Sequence, residues 1–277
     1  MNQLETDDQP GFVERQVRLV RSGVASVVAD NVGQEWPVAL VYNGISHAVM
    51  MCAPRDLEAF AVGFSLTEGI VERGADIHDI EVYFHDGPGV GVPHAEVHLQ
   101  VVQQAFLSLK DKRRALAGRT GCGVCGVESI ELLDLALEVV PDTGFLASLA
   151  EDAIERASRG LSSHQGLARL TGGLHAAAFC DASGAVLYAF EDVGRHNALD
   201  KLIGQLVLQR VDMTQGFVFL SSRPSYELVR KSARVRIPMV VTISAPTSLA
   251  ISTAQQAGVR LVCFARENGF VEYLGSE

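Results

Sequence analysis

The stretch "GFVFLSSRPSYELVRKSARVRIPMVVTIS", Gly216 to Ser244, holds two short apolar runs on either side of an amphipathic segment. The runs are rich in aromatic and β-branched residues and too short for helices, so both read as strands, and the segment between them carries its apolar residues at helical spacing. A strand, a helix and a strand in that order place the two strands parallel through a right-handed crossover. The pattern extends outward on both sides. "HNALDKLIGQLVLQR" (His196 to Arg210) precedes it as a helix, and "SLAISTAQQAG" (Ser248 to Gly258) and "VRLVCFAR" (Val259 to Arg266) follow as helix and strand. Further upstream, "HAAAFCD" and "AVLYAF" form a hairpin-like pair joined through Asp181 to Gly184, after two helix candidates at Glu128 to Val140 and Phe145 to Arg159. The fold class is therefore α/β, with a parallel sheet covered by helices.

The first half reads differently. Strands "PVALVYNG" and "SHAVMMCA" lead into a helix, "PRDLEAFAVGFSLTEGIV", with Pro54 in its first turn. Strands "IEVYF" and "AEVHLQVV" follow, then a helix, "QAFLSLKDKRRALAG", that ends at Gly118 with basic residues in its last turns. The expected organisation is an α+β domain over residues 1–117, a mobile Cys-x-x-Cys loop over 118–126 and a second domain over 127–277.

Bulk properties narrow the function. The chain has 277 residues, 48% hydrophobic, with 23 Lys and Arg against 33 Asp and Glu, a net charge of −10. Such a balance repels a polyanion, which argues against general nucleic-acid binding. The one basic cluster, "RKSARVR" (Arg230 to Arg236), could reverse that sign locally and serve a phosphorylated ligand or an acidic partner, but it reads more simply as a solvated helix face. The polar, acidic start "MNQLETDDQPGFVERQ" has no signal-peptide pattern, and runs such as "MVVTI" fall far short of the roughly 20 residues that cross a bilayer, so a cytoplasmic location without membrane contact is expected. Five cysteines without framework spacing fit a reducing compartment.

In sheets of this class, ligands bind beyond the carboxyl ends of the strands. Four turns lie there: "EDVGRHN" (Glu191 to Asn197), "SSRPSYE" (Ser221 to Glu227), "SAPTSLA" (Ser244 to Ala250) and "FARENGF" (Phe264 to Phe270). Three open a helix, so free backbone N–H groups stand beside hydroxyl and guanidinium groups, an arrangement suited to phosphate oxygens. Each turn taken alone is equally accounted for by helix capping.

Cys52, Cys180 and Cys263 sit in apolar strand-like runs and read as core. Cys122 and Cys125 remain, in "GRTGCGVCG". One Cys-x-x-Cys is half of a four-ligand zinc site, and no second paired spacing completes it with His164, His175 or His196, so no structural metal is expected. Two chemistries survive: a reversible dithiol couple, acting as a thiol-disulfide oxidoreductase or redox sensor, and a nucleophilic cysteine that carries sulfur. Arg119 and the following helix start favour thiolate in both. Gly118, Gly121, Gly123 and Gly126 give a loop able to swing, as a carrier requires.

"GRTGCGVCG", "TGGLHAA", "EDVGRHNALDKLIG", "SYELVRKSA", "ISAPTSLA" and, more weakly, "AVGFSLTEGIV" together resemble the FdhD family, the sulfurtransferases that serve as accessory proteins for formate dehydrogenase. The resemblance implies a cytidine-deaminase-like three-layer domain, a homodimer, and transfer of sulfur from a cysteine desulfurase to a molybdenum cofactor, Mo-bis(molybdopterin guanine dinucleotide). It implies that Cys122 forms the persulfide, that Cys125 assists, and that the cofactor segment falls on Phe264, Ala265, Arg266, Glu267, Asn268 and Gly269. A GDP-like nucleotide is expected to fit the same site. Arg195, Asn197 and Ser248 are candidates for the anionic part of the cofactor, with Asp192 orienting Arg195. Glu191 and Asp192 read equally as caps of the helix that follows, His175 as a buried hydrogen-bonded histidine, His196 as filling a helix face, and Asp200 and Lys201 as a solvated helix surface. Where the family pattern commonly has Ser-Gly-Arg, this chain has Ser221, Ser222 and Arg223. The deaminase signature is absent, since Ala176 and Ala177 follow His175 and no proline precedes Cys122. A chaperone that binds the cofactor or the immature dehydrogenase, with the cysteines in a supporting role, is the non-enzymatic alternative.

Overall fold

The computed structural model describes residues 10–87, 91–107, 109 and 139–273. Three sheets organise them. A two-stranded ribbon pairs β1 (Phe12–Arg21) with β2 (Val24–Gly33). A four-stranded sheet has the order β4 (Ile45–Cys52), β3 (Trp36–Tyr42), β6 (His94–Val101), β5 (Ile77–His85), with β3 and β6 parallel. A six-stranded sheet has the order β12 (Gly269–Tyr273), β11 (Arg260–Arg266), β10 (Met239–Thr242), β9 (Phe217–Leu220), β7 (His175–Cys180), β8 (Val186–Asp192).

In the six-stranded sheet β9, β10 and β11 are parallel, as the crossover argument requires, and β7, β8 and β12 are antiparallel to their neighbours. Its two faces separate by the two-residue period of a strand. Ala177, Phe179, Val218, Leu220 and Val240 face α4 (Arg195–Leu208), α5 (Tyr226–Arg234) and α6 (Ser248–Ala257). Ala176, Ala178, Phe217, Phe219 and Val241 face α2 (Ala153–His164). Helices on both faces make this part a three-layer α/β unit.

The four-stranded sheet packs on α1 (Leu57–Thr67), and α1 in turn packs on α4. The backbones of these helices touch. A Cβ on Gly63 would overlap the Asp200 carbonyl oxygen, and one on Gly204 would overlap the Ala59 carbonyl oxygen. Glycine at both positions lets the halves of the chain close on each other without an intervening side-chain layer.

Several sequence expectations change. Phe145 to Arg159 is not one helix: Phe145–Ala147 is a single 3₁₀ turn, and α2 begins at Ala153, because the Ala150 amide bonds out to the Ala182 carbonyl. A short helix, α3 (Gly166–Thr171), follows α2. Asp200 and Lys201 are not solvated but 1% and 0% exposed. The basic cluster after Arg230 is not a free solvated face either. Lys231 lies 2.8 Å from both Glu68 Oε1 and Asp200 Oδ2, Arg230 reaches Glu68, and Arg234 reaches Glu72, so the positive charge is spent against α1 and its end. Most of the helix expected at Glu128 to Val140, most of the one ending at Gly118, and the boundary between the two expected domains lie outside the described residues; Val139 and Val140, the expected helix end, are not helical, and the Val140 amide bonds to the Ala257 carbonyl.

Candidate functional site

β8, β9, β10 and β11 end at the same side of the six-stranded sheet, and β7 begins there, because β7 runs antiparallel to both β8 and β9. α4, α5 and α6 start from the turns at this edge. α6 is capped by the Thr247 hydroxyl, which accepts from the Ala250 amide, whereas Gly194 before α4 and Ser225 before α5 give no side-chain cap. Uncapped N–H groups and the positive helix ends favour an anion at such an edge.

Beneath the start of α4 lies a closed polar cluster. Asp192 Oδ2 accepts from the Ala53 amide at 3.0 Å and stands 2.7 Å from Lys201 Nζ. Its Oδ1 accepts from the Gly194 amide at 2.8 Å and from Asn197 Nδ2 at 3.0 Å. Asn197 Nδ2 also donates to the Met51 carbonyl, and Lys201 Nζ to the Ala53 carbonyl. Asp192 therefore orients Asn197 and Lys201, not Arg195, and both donors of the Asn197 amide are used inside the protein. Glu191 does not cap α4. Its carboxylate accepts from the Leu167 and Ala168 amides at the start of α3, the preceding helix in the chain.

Arg195 is the first residue of α4, and Ser248, the first of α6, is exposed. Phe264 is a non-glycine residue at φ +54°, in a bulge between Cys263 and Arg266, with 43% of its surface exposed. Bulges re-aim side chains at sheet rims, and this one turns an aromatic ring outward at the strand end. Ala265 is buried, Arg266, Glu267 and Asn268 are exposed, and Gly269 begins β12. Ser222 has no positive φ, so the backbone there does not demand glycine.

Two histidines share the edge. His175 is half-buried and makes no hydrogen bond among the described residues, which corrects the expectation of a buried, hydrogen-bonded ring. Burial first, then the Arg195 charge, then that of His196, hold its pKa below the usual 6.5 against an opposing pull from Asp192. His196 Nε2 lies 2.9 Å from Glu227 Oε2, linking α4 to α5 instead of merely filling a helix face. Ser221 contributes its hydroxyl, which accepts from the Ala176 amide at 2.8 Å.

Cys122 and Cys125 lie outside the described residues. Cys52, Cys180 and Cys263 are free and buried, as expected, and burial pushes each thiol upward. A cavity of about 620 Å³ opens beside β8, lined by Phe12, Arg55, His164, Arg169 and Phe190 among others; of the strand-end turns only Glu191 reaches it, and Arg195, Asn197, Ser248 and the segment from Phe264 to Gly269 do not line it. Sequence reading missed Lys201 and Lys231 as buried ion-pair residues. Their signal is faint, a lysine on the apolar side of an amphipathic helix. Among the described residues no helix is long and apolar enough to cross a membrane.

Residues 33–277 match the model of the FdhD/NarQ family. The chain is 70% identical over 274 residues to the sulfur carrier protein FdhD of Burkholderia mallei, with 99% of each chain covered. It is 59% identical over 244 residues to the protein of the same name from Chromobacterium violaceum, covering 88% of each. A solved crystal structure of a candidate formate dehydrogenase accessory protein from Desulfotalea psychrophila superposes with a TM-score of 0.72 at 22% identity, over 96% of this chain and 98% of that one, which extends the likeness to the fold. With a match across nearly nine-tenths of its length and relatives this close, the chain belongs to the FdhD/NarQ family.

Proposed function

We propose that this protein is a sulfurtransferase of the carrier type, taking sulfur from a cysteine desulfurase and passing it to Mo-bis(molybdopterin guanine dinucleotide) for formate dehydrogenase. The observation that carries the reading is the presence of Cys122 and Cys125, in their glycine-rich setting, in a chain 70% identical to a named sulfur carrier. The strand order β8-β7-β9-β10-β11, with β7 alone reversed among the five, supports the cytidine-deaminase-like assignment of the three-layer unit. Deaminase chemistry does not follow from that fold.

In the first step the Cys122 thiolate attacks the outer sulfur of the desulfurase persulfide. The donor S–S bond breaks, the donor cysteine leaves as thiolate, and Cys122 holds the sulfur as a persulfide. In the second, Cys125 attacks the inner sulfur of that persulfide and forms a Cys122–Cys125 disulfide. The two electrons of the dithiol leave with the outer sulfur as sulfide, which the molybdenum substrate accepts, and a cellular thiol reductant restores the pair. The acceptor is held at the strand-end edge. Arg195 and the N–H groups opening α4, α5 and α6 suit its phosphates. The outward Phe264 ring offers a stacking surface for its guanine, and the turn from Arg266 to Gly269, with Ser248, closes the rim. Asn197, with its amide spent internally, serves by holding the start of α4. The protein works in the cytoplasm as a homodimer.

Intact-protein mass spectrometry after incubation with a cysteine desulfurase and cysteine tests the first step. Reducible added sulfur that only Cys122→Ala abolishes supports the carrier reading. An intramolecular disulfide with no added sulfur supports a thiol-disulfide oxidoreductase instead.

A further inference from the structure

We propose that His175 and Arg195 form a binding pair for a pyrophosphate diester at the strand-end edge, with the His175 imidazole taking up a proton as the ligand arrives. The inference deepens the nucleotide-bearing acceptor proposed above and rests on that reading.

The placement is geometric. His175 opens β7 and is the register partner of Asp192, so it stands at the end of the sheet where α4 begins. It shares strand parity with Ala177 and Phe179, whose side chains lie against the α4–α6 layer, so the imidazole is on the sheet face covered by α4, whose first residue is Arg195. Neither ring nitrogen of His175 has a hydrogen bond among the described residues, and the ring is only half-buried, so both nitrogens are available to a ligand.

The charged groups around the ring are Arg195 and His196 from α4 and Asp192 from β8, and the turn after β9 carries Ser221 and Arg223. Asp192 is already paired with Lys201, which leaves Arg195 as the dominant influence after burial. In the free protein the ring is therefore neutral near pH 7 and its pKa lies below 6.5. A bound pyrophosphate offsets the Arg195 charge and accepts a hydrogen bond from the imidazolium, so the bound pKa is higher. Between the two values binding takes up a proton, and affinity rises as pH falls. Above the bound value His175 contributes no pH dependence.

The test is titration calorimetry with GDP-mannose, whose pyrophosphate is esterified at both ends and does not itself titrate near neutrality. Wild-type protein is measured in two buffers of different ionisation enthalpy, from about pH 8 to about pH 6. The expected result is proton uptake and tightening toward acid pH. His175→Gln abolishes both and weakens binding at the acid end by about tenfold or more, whereas Arg195→Gln weakens it throughout. Wild-type binding without buffer-dependent heat, or unchanged pH dependence in His175→Gln, overturns the inference and leaves the nucleotide site standing. If wild-type protein binds no GDP-mannose while Cys122 still accepts sulfur, the phosphate pair fails and the carrier reading survives. If Cys122 accepts no sulfur either, the carrier reading itself fails. The wild-type measurement needs no variant, and thermal unfolding verifies that His175→Gln is folded.

Discussion

Lys201 Nζ on α4 stands 2.7 Å from Asp192 Oδ2 at the end of β8, and neither side chain reaches solvent. Because the same two side chains bond the Ala53 amide and carbonyl, just beyond β4, this one contact ties the four-stranded sheet to the turn that presents Arg195. Removing one member of a buried pair strands the other charge without water. Lys201→Met is therefore expected to lose about 3–5 kcal/mol of stability, and Asp192→Asn to fall in the same direction. Equilibrium urea unfolding measures both, and a loss within experimental error would show that the pair does not hold the junction.

The helix crossing at Gly63 and Gly204 sets a second expectation. An added methyl at either position meets backbone that has no rotamer to change. Gly204→Ala and Gly63→Ala should each destabilise by about 1–3 kcal/mol or more through overpacking, despite alanine's better helix propensity. A surface control, Gln205→Ala on the same helix, is expected to leave the unfolding midpoint nearly unchanged.

The cluster of Glu68, Lys231 and Asp200 predicts an acid-dependent loss. Burial pushes Glu68 upward, but Lys231 and Arg230 outweigh it and hold the carboxyl below the usual 4.5. A depressed carboxylate contributes stability above its unfolded value and loses it as pH falls through the folded one. Glu68→Gln should thus be less stable than wild type at neutral pH, by about 1–2 kcal/mol. That gap should close below pH 4.5. Lys231 works in the opposite direction: burial lowers it, Asp200 and Glu68 raise it further, and its contribution persists below 10.5 and fades as pH rises through its higher folded value. Denaturation curves across pH separate the two.

Thiol accessibility gives a further check. Cys52, Cys180 and Cys263 are buried with raised thiols, so a maleimide should modify these three only after unfolding. Peptide mapping of native and urea-treated protein reads this directly. Native labelling of Cys52 would place an opening at the junction held by Lys201.

The alternation from Glu191 to Arg266 was legible because each buried parallel strand is a short apolar run bounded by a helix with one apolar stripe. Phe217–Leu220 and Met239–Thr242 are buried on both faces and show no competing period. The β1–β2 ribbon was not legible. Its strands, such as "FVERQVRLVR", are mostly solvent-exposed, so apolar and charged residues mix without a core to impose alternation. The two-residue turn at Ser22 and Gly23, both at positive φ, is its one local mark. The strand-end rule places Arg195, Ser248 and Phe264 on one sheet edge, and the structure has Arg195 and Ser248 opening α4 and α6 there and Phe264 in the bulge near the end of β11. The role of Lys201 was illegible because α4 is covered on two sides, by the sheet and by α1, and a lysine facing the second layer looks in sequence like one facing water. The same blindness applied to Lys231.

Carriage of sulfur on Cys122 to an acceptor is tested by a single-turnover transfer. Protein loaded with isotopically labelled sulfur and separated from the desulfurase is mixed with immature formate dehydrogenase, and label and formate oxidation are followed together. Label should leave Cys122 as activity appears, and protein without the load, or Cys122→Ala, should give neither. Equal activation by unloaded protein would contradict sulfur carriage and leave a chaperone in its place.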